Sequence, residues 1–120
     1  MPKATEEEKA ARTKAIEAAN KTATASPLET MRMASRVFAL SKLMITTGNP
    51  SSVTDAGVSA LCARAAVEGA FLNVKVNIGS IKDGEYRERV MAEARQLLAD
   101  AKQAEADAIA ATHAVLDKQK

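Results

Sequence analysis

Tryptophan is absent from this 120-residue chain, and aromatic residues of any kind make up only 2% of it. A core without large rings must be assembled from Ala, Val, Leu, Ile and Met, which favours closely packed helices over sheets rich in β-branched and aromatic residues. Cysteine is reduced to Cys62, so no intrachain disulfide can form. Histidine is reduced to His113, which leaves a Ser–His triad or a His-based metal site without partners. Neither sign of charge dominates: 17 Lys and Arg face 15 Asp and Glu, a net charge of +2. The two signs are interleaved, as on a solvated helix face, so no nucleic-acid partner is expected. No apolar run approaches the roughly 18 residues of a membrane span, and residues 1–9 carry charge where a signal peptide has an apolar stretch. The expected setting is cytoplasmic, with no membrane partner. CxxC, HExxH, GxSxG, GxGxxG and P-loop patterns are all missing, and no metal site is expected.

What is present is 47% apolar residues, mostly alanine, at helical spacing. Thr5 followed by Glu8 forms a capping box with an acidic first turn, which predicts a surface helix to about Thr22. Ser26-Pro27 resembles a fresh N-cap and first helical position, which predicts a second helix to Gly48, with apolar positions at Leu28, Met31, Ala34, Val37, Phe38, Leu40, Met44 and Ile45. Gly48 and Pro50 forbid its continuation. A third helix is expected from about Val53 to Ile78, entered from Ser52 or Thr54 and carrying only Asp55, Arg64, Glu68 and Lys75 as charges. A helix so poor in charge belongs at the centre of a fold. Arg64 and Glu68, four apart, are placed to pair. Residues 74–78 alternate like a strand, but no second strand is available to pair with them. After Gly79, Ser80 and Asp83 mark another N-terminus, and a long helix runs from Tyr86 to about Asp117, with fraying expected at the last residues. The fold class is all-α, a helical bundle of about four helices, with one domain over residues 1–120.

Met31, Met33, Met44 and Met91 read as core filler, Cys62 as a small buried residue and His113 as a surface residue. The informative stretch is Gly48–Ile78, where polar residues are few: Asn49, Ser52, Asp55, Ser59, Asn73 and Asn77. Two readings stay open. Asp55 can stabilise the helix N-terminus while the asparagines bond to neighbouring backbone, or these groups can line a polar site. Asp55 and Asn73 share a helix face but stand roughly 27 Å apart at 1.5 Å per residue, so they cannot meet on one reacting atom of a single subunit.

Gly48-Asn49-Pro50-Ser51-Ser52-Val53-Thr54-Asp55-Ala56-Gly57-Val58, with Ala60-Leu61 and Ala63-Arg64-Ala65-Ala66, resembles the GNPxSVSDxGV…L…ARAA segment of the formimino-tetrahydrofolate cyclodeaminase family, which includes bacterial methenyl-tetrahydrofolate cyclohydrolases. The likeness continues over Gly69–Asn77, and upstream over Pro2-Lys3, Thr5–Arg12 and Pro27-Leu28. It implies a dimerising helical bundle acting on a one-carbon tetrahydrofolate as substrate, with no metal or redox cofactor. It places Asn49, Ser52 and Asp55 in or beside the folate pocket and Asn73 and Asn77 in packing or a facing site. Among these, Asp55 is the residue whose chemistry suits proton transfer or stabilisation of a cation. Family members extend further at the N-terminus, so the chain corresponds to their C-terminal portion, and the Val53–Ile78 helix is expected to present an apolar face. A homodimer, a higher oligomer or a separate N-terminal partner chain would cover it. The alternative is a non-catalytic helical oligomerisation module derived from the same family.

Overall fold

The computed structural model describes residues 5–118. Helix α1 spans Glu6–Ser35, α2 Val37–Thr47, α3 Val53–Ile78 and α4 Gly84–Lys118, with a 3-10 turn at Pro50–Ser52 between α2 and α3. Among the described residues there is no strand, and 74–78 is helical. Because α1 and α2 are separated only by Arg36, the chain packs as three antiparallel rods: α1 with α2, then α3, then α4. The bundle is long and flat, 78 × 23 × 17 Å.

Local chemistry accounts for the helix ends. Thr5 caps α1, its hydroxyl accepting the Glu8 N–H at 3.1 Å. Asp83 caps α4, one carboxylate oxygen accepting the Tyr86 N–H at 3.2 Å. The expected break at Ser26-Pro27 does not occur; Pro27 lies inside α1. Proline has no N–H, so the carbonyl of Ala23, four residues back, loses its helical partner. The side-chain amide of Asn77 on α3 donates to that carbonyl at 3.0 Å. A tertiary contact thus replaces the missing helical bond and carries α1 past a local stop signal. The helix is interrupted at Arg36 instead, where the Arg36 N–H reaches back only three residues to Met33 and the Ser35 hydroxyl donates to the Met31 carbonyl at 2.7 Å.

Helix α3 is central and touches all the others. Its buried side is Val53, Ala56, Gly57, Ala60, Ala63, Val67, Ala70, Val74 and Ile78, recurring every three or four residues. Small residues dominate that side, and they let neighbouring helices approach closely. A Cβ on Gly57 would stand 2.9 Å from the hydroxyl of Thr112 on α4. Two core clusters result. The larger joins Leu28, Met31, Val67, Val74, Ile81 and Val90; the smaller joins Ile45, Val53, Ala56, Ala60 and Ala108. Phe38 packs against both.

The opposite side of α3 is uncovered: Val58, Leu61 and Leu72 are about half exposed and Val76 is 76% exposed. This corrects the expectation for Cys62, which lies on that side and is exposed. Met31 is fully buried and Met91 half-buried, as core filler should be, but Met33 and Met44 are exposed. Arg64 and Glu68 pair as their spacing implied, and His113 is exposed. Pro2-Lys3 of the resemblance and the last residues, Gln119 and Lys120, lie outside the described residues.

Candidate functional site

The turn that enters α3 is shaped by its own side chains. The Asn49 carboxamide oxygen accepts the Ser51 N–H at 3.0 Å, and the Asn49 carbonyl accepts the Ser52 N–H at 2.8 Å. Pro50 occupies the first position of the 3-10 turn, where its missing N–H costs nothing. Ser52 adopts a helical conformation and makes no capping bond, so its half-buried hydroxyl is left over. Asp55 sits in the first turn of α3, exposed, with no hydrogen bond or ion pair among the described residues. Its charge favours the helix N-terminus, an effect of about 0.3–1 kcal/mol. Asn49, Ser52 and Asp55 are therefore grouped at one end of the molecule.

Asn73 is exposed and makes no side-chain hydrogen bond among the described residues, five helical turns from Asp55 on the uncovered face of α3. Asn77 is half-buried and turned toward α1, where its amide is committed to Ala23. The structure thus gathers three of the five candidates at the turn, leaves Asn73 far along the same face, and gives Asn77 a packing role.

From residue 56 to 76 the uncovered face is formed by Val58, Leu61, Cys62, Ala65, Ala66, Gly69, Leu72, Asn73 and Val76, with the exposed Lys75 at its edge. Asp55 closes it at one end. The nearest ion pair, Arg64 with Glu68, lies on the flank of α3, where hydrogen bonding to Arg64 holds the Glu68 carboxyl below its ordinary range. The Arg64 Nε is buried without a partner. No group of three His, Cys, Asp or Glu among the described residues could hold a metal ion.

A second feature was not signalled by the sequence. Between α2 and α4 lies a cleft of about 330 Å³ with Phe38, Lys42 and Ile45 on one wall and Ala104, Asp107 and Ala111 on the other. Its walls come from segments some 65 residues apart, and no local pattern in either marks it.

These features have counterparts in known proteins. Over 101 residues the chain is 42% identical to a methenyltetrahydrofolate cyclohydrolase of Methylorubrum extorquens, covering 84% of this chain and 49% of that protein. It is 31% identical over 106 residues to a formimidoyltransferase-cyclodeaminase of Gallus gallus, covering 88% of this chain and 20% of that one. The corresponding Rattus norvegicus protein is 30% identical over 102 residues, with 85% and 19% covered. The chain thus spans about half the length of the first relative and about a fifth of the others. The family described as Formiminotransferase-cyclodeaminase matches residues 1–96, through α1, α2, the Asn49–Asp55 turn, α3 and the first part of α4, and the chain belongs to that family.

Proposed function

We propose that this chain acts in folate one-carbon metabolism, converting formimino- or methenyl-tetrahydrofolate at a site built on the Asn49–Asp55 turn. One observation carries the reading: Asp55 is a carboxylate with no partner among the described residues, at the end of a long helix face with little charge. Both reactions pass through a carbon bonded to two nitrogens and bearing positive charge. A carboxylate beside that carbon stabilises the cation electrostatically, and it can orient or deprotonate the attacking water in a cyclohydrolase. In a cyclodeaminase it can relay the proton that departing ammonia needs. Asn49 and Ser52 flank it with neutral donors and acceptors suited to the ring system, and Asn73 offers a contact further along the face. The Asn77 amide, bonded to Ala23, belongs to the scaffold that holds this face in place.

An exposed Asp55 needs a facing surface to exclude water. The uncovered side of α3 is where that surface would sit, contributed by a second copy of the chain or by a partner polypeptide. A cytoplasmic setting belongs to the same reading, with Cys62 as a free thiol.

The test is turnover of methenyl-tetrahydrofolate, followed by loss of its absorbance, by the protein in the assembly that light scattering detects. Asp55→Asn is expected to lower kcat by about 100-fold or more with unchanged helicity. Turnover that survives the substitution sinks the assignment. The second reading is a non-catalytic association module, favoured by the exposed Val58, Leu61, Leu72 and Val76. It predicts stable oligomers with no tetrahydrofolate binding in the same sample.

A further inference from the structure

We propose that the cleft between α2 and α4 is a separate small-molecule site, taking a compact aromatic ligand with an acidic group at one end and a hydrogen-bond-donating nitrogen at the other. The proposal does not depend on the folate reading. The cleft exists because α4 presents alanines at 104, 108 and 111 where α2 presents Phe38 and Ile45. Ile45 and Ala108 are buried in the core at its floor, and the small side chains of Ala104 and Ala111 leave space beside Phe38. The result is about 330 Å³, at the lower end of small-ligand pockets, with an aromatic ring and aliphatic carbons for walls.

The two charged groups choose the ligand. Lys42 and Asp107 both line the cleft, from opposite helices, yet they form no ion pair with each other. Lys42 has no charged partner among the described residues. Asp107 accepts a single bond from Gln103 on its own helix at 2.8 Å through one oxygen, which leaves the other free. Opposite charges that face one volume without closing on each other suit a molecule that spans them. An acid meets the Lys42 ammonium, an amine or amidine meets the Asp107 carboxylate, and the ring between them lies against Phe38 and the alanines. A purely apolar ligand would leave both charges unused, and a dianion or dication would meet one of them with the wrong sign.

The experiment is an amide-resolved NMR titration of the whole chain with 4-(aminomethyl)benzoate, and separately with benzoate and benzylamine, which each carry one of its ends. The expected result is saturable shifts confined to residues 38–46 and 104–111, with each single-ended probe binding about tenfold more weakly or worse. Ala104→Leu, which fills the cleft, should abolish binding, and Lys42→Gln at an exposed position should weaken it about tenfold without touching the core. No saturable shift up to about 10 mM, shifts elsewhere in the bundle, or full-strength binding to Lys42→Gln would overturn the proposal.

Discussion

Where α3 turns into α4, several polar side chains are committed to partners on other elements. The Glu17 carboxylate accepts the backbone N–H groups of Lys82 and Asp83 at 2.9–3.1 Å, Asn20 donates to the Ser80 carbonyl, and Lys21 pairs with Asp83 at 2.9 Å. The Tyr86 hydroxyl donates to the Lys21 carbonyl, the Lys21 ammonium lies over the Tyr86 ring, and Asn77 serves Ala23. At the other end, where α2 turns into α3, Asn49 bonds only within its own turn, Ser52 caps nothing and Asp55 has no partner among the described residues. Polar side chains thus tie one turn to neighbouring helices, while at the other Asn49 bonds only locally and Ser52 and Asp55 have no side-chain partner among the described residues. Partnered polar groups contribute to folding, and exposed unpartnered ones contribute little. The Ser52 hydroxyl and the Asp55 carboxylate therefore add little to holding the second turn, and under the proposed function they are the groups left for a ligand.

The sharpest way to probe the braced end is to remove the reason for one of its contacts. Pro27→Ala restores an N–H to α1 and relieves an interior proline, with an expected gain of about 1–3 kcal/mol in denaturant unfolding. In the natural chain Asn77→Ala strips the Ala23 carbonyl of its donor and should cost about 1 kcal/mol. In the Pro27→Ala background residue 27 supplies that donor, so the same substitution should cost much less. A double-mutant cycle measures the difference. Additive effects would mean that Asn77 does not compensate for the proline.

This pair also shows what was legible in the sequence and what was not. Helical spacing, the Thr5 cap, the Gly48–Pro50 stop and the Arg64–Glu68 pair depend on residues within four positions of each other and were readable, whereas the α4 cap was read as Ser80 paired with Asp83 and falls on Asp83 itself. The continuation of α1 through Pro27 depends on a residue 50 positions away in the sequence, so local rules placed a helix start there. The apolar circumference of α3 marked it as central but could not say which half its neighbours cover, and Cys62 was assigned to the wrong half. At the candidate site, residue type singled out Asp55 and the turn. The cleft at Phe38, Lys42 and Asp107 had no local signature because its walls meet only through packing.

A smaller effect separates the ends by pH. Hydrogen bonding from Lys21, then from the Tyr86 N–H, lowers the Asp83 carboxyl below its ordinary 3.8, and Asp83 raises Lys21. A lowered folded-state value stabilises the fold above the ordinary one and is lost as pH falls through the lowered one. The braced turn should therefore loosen in acid, below about pH 4, while the raised Lys21 matters only in strong base. Amide exchange at residues 80–87 should show this step in the natural protein and not in Asp83→Asn. The comparison is made against the mutant because Glu68 and Glu93, lowered by Arg64 and Arg32, titrate in the same range in both proteins. An acid step of equal size in both would assign the loosening to those other pairs.

The smallest expected effect is the most telling for the unbraced end. Asp55→Asn keeps the shape of the side chain and removes its charge. Asp55 has no ion pair to lose among the described residues, so only its interaction with the α3 N-terminus changes, an effect of about 0.3–1 kcal/mol that salt screens. At about 0.15 M salt the unfolding midpoint should move by less than about 0.5 kcal/mol, within the range of an ordinary surface change. A loss of 2 kcal/mol or more would show that the fold uses this carboxylate after all, and would erase the contrast between the two turns. A negligible stability change together with lost turnover would separate what the two ends are for: one holds α1, α3 and α4 in register, and the other keeps a charge free for a substrate.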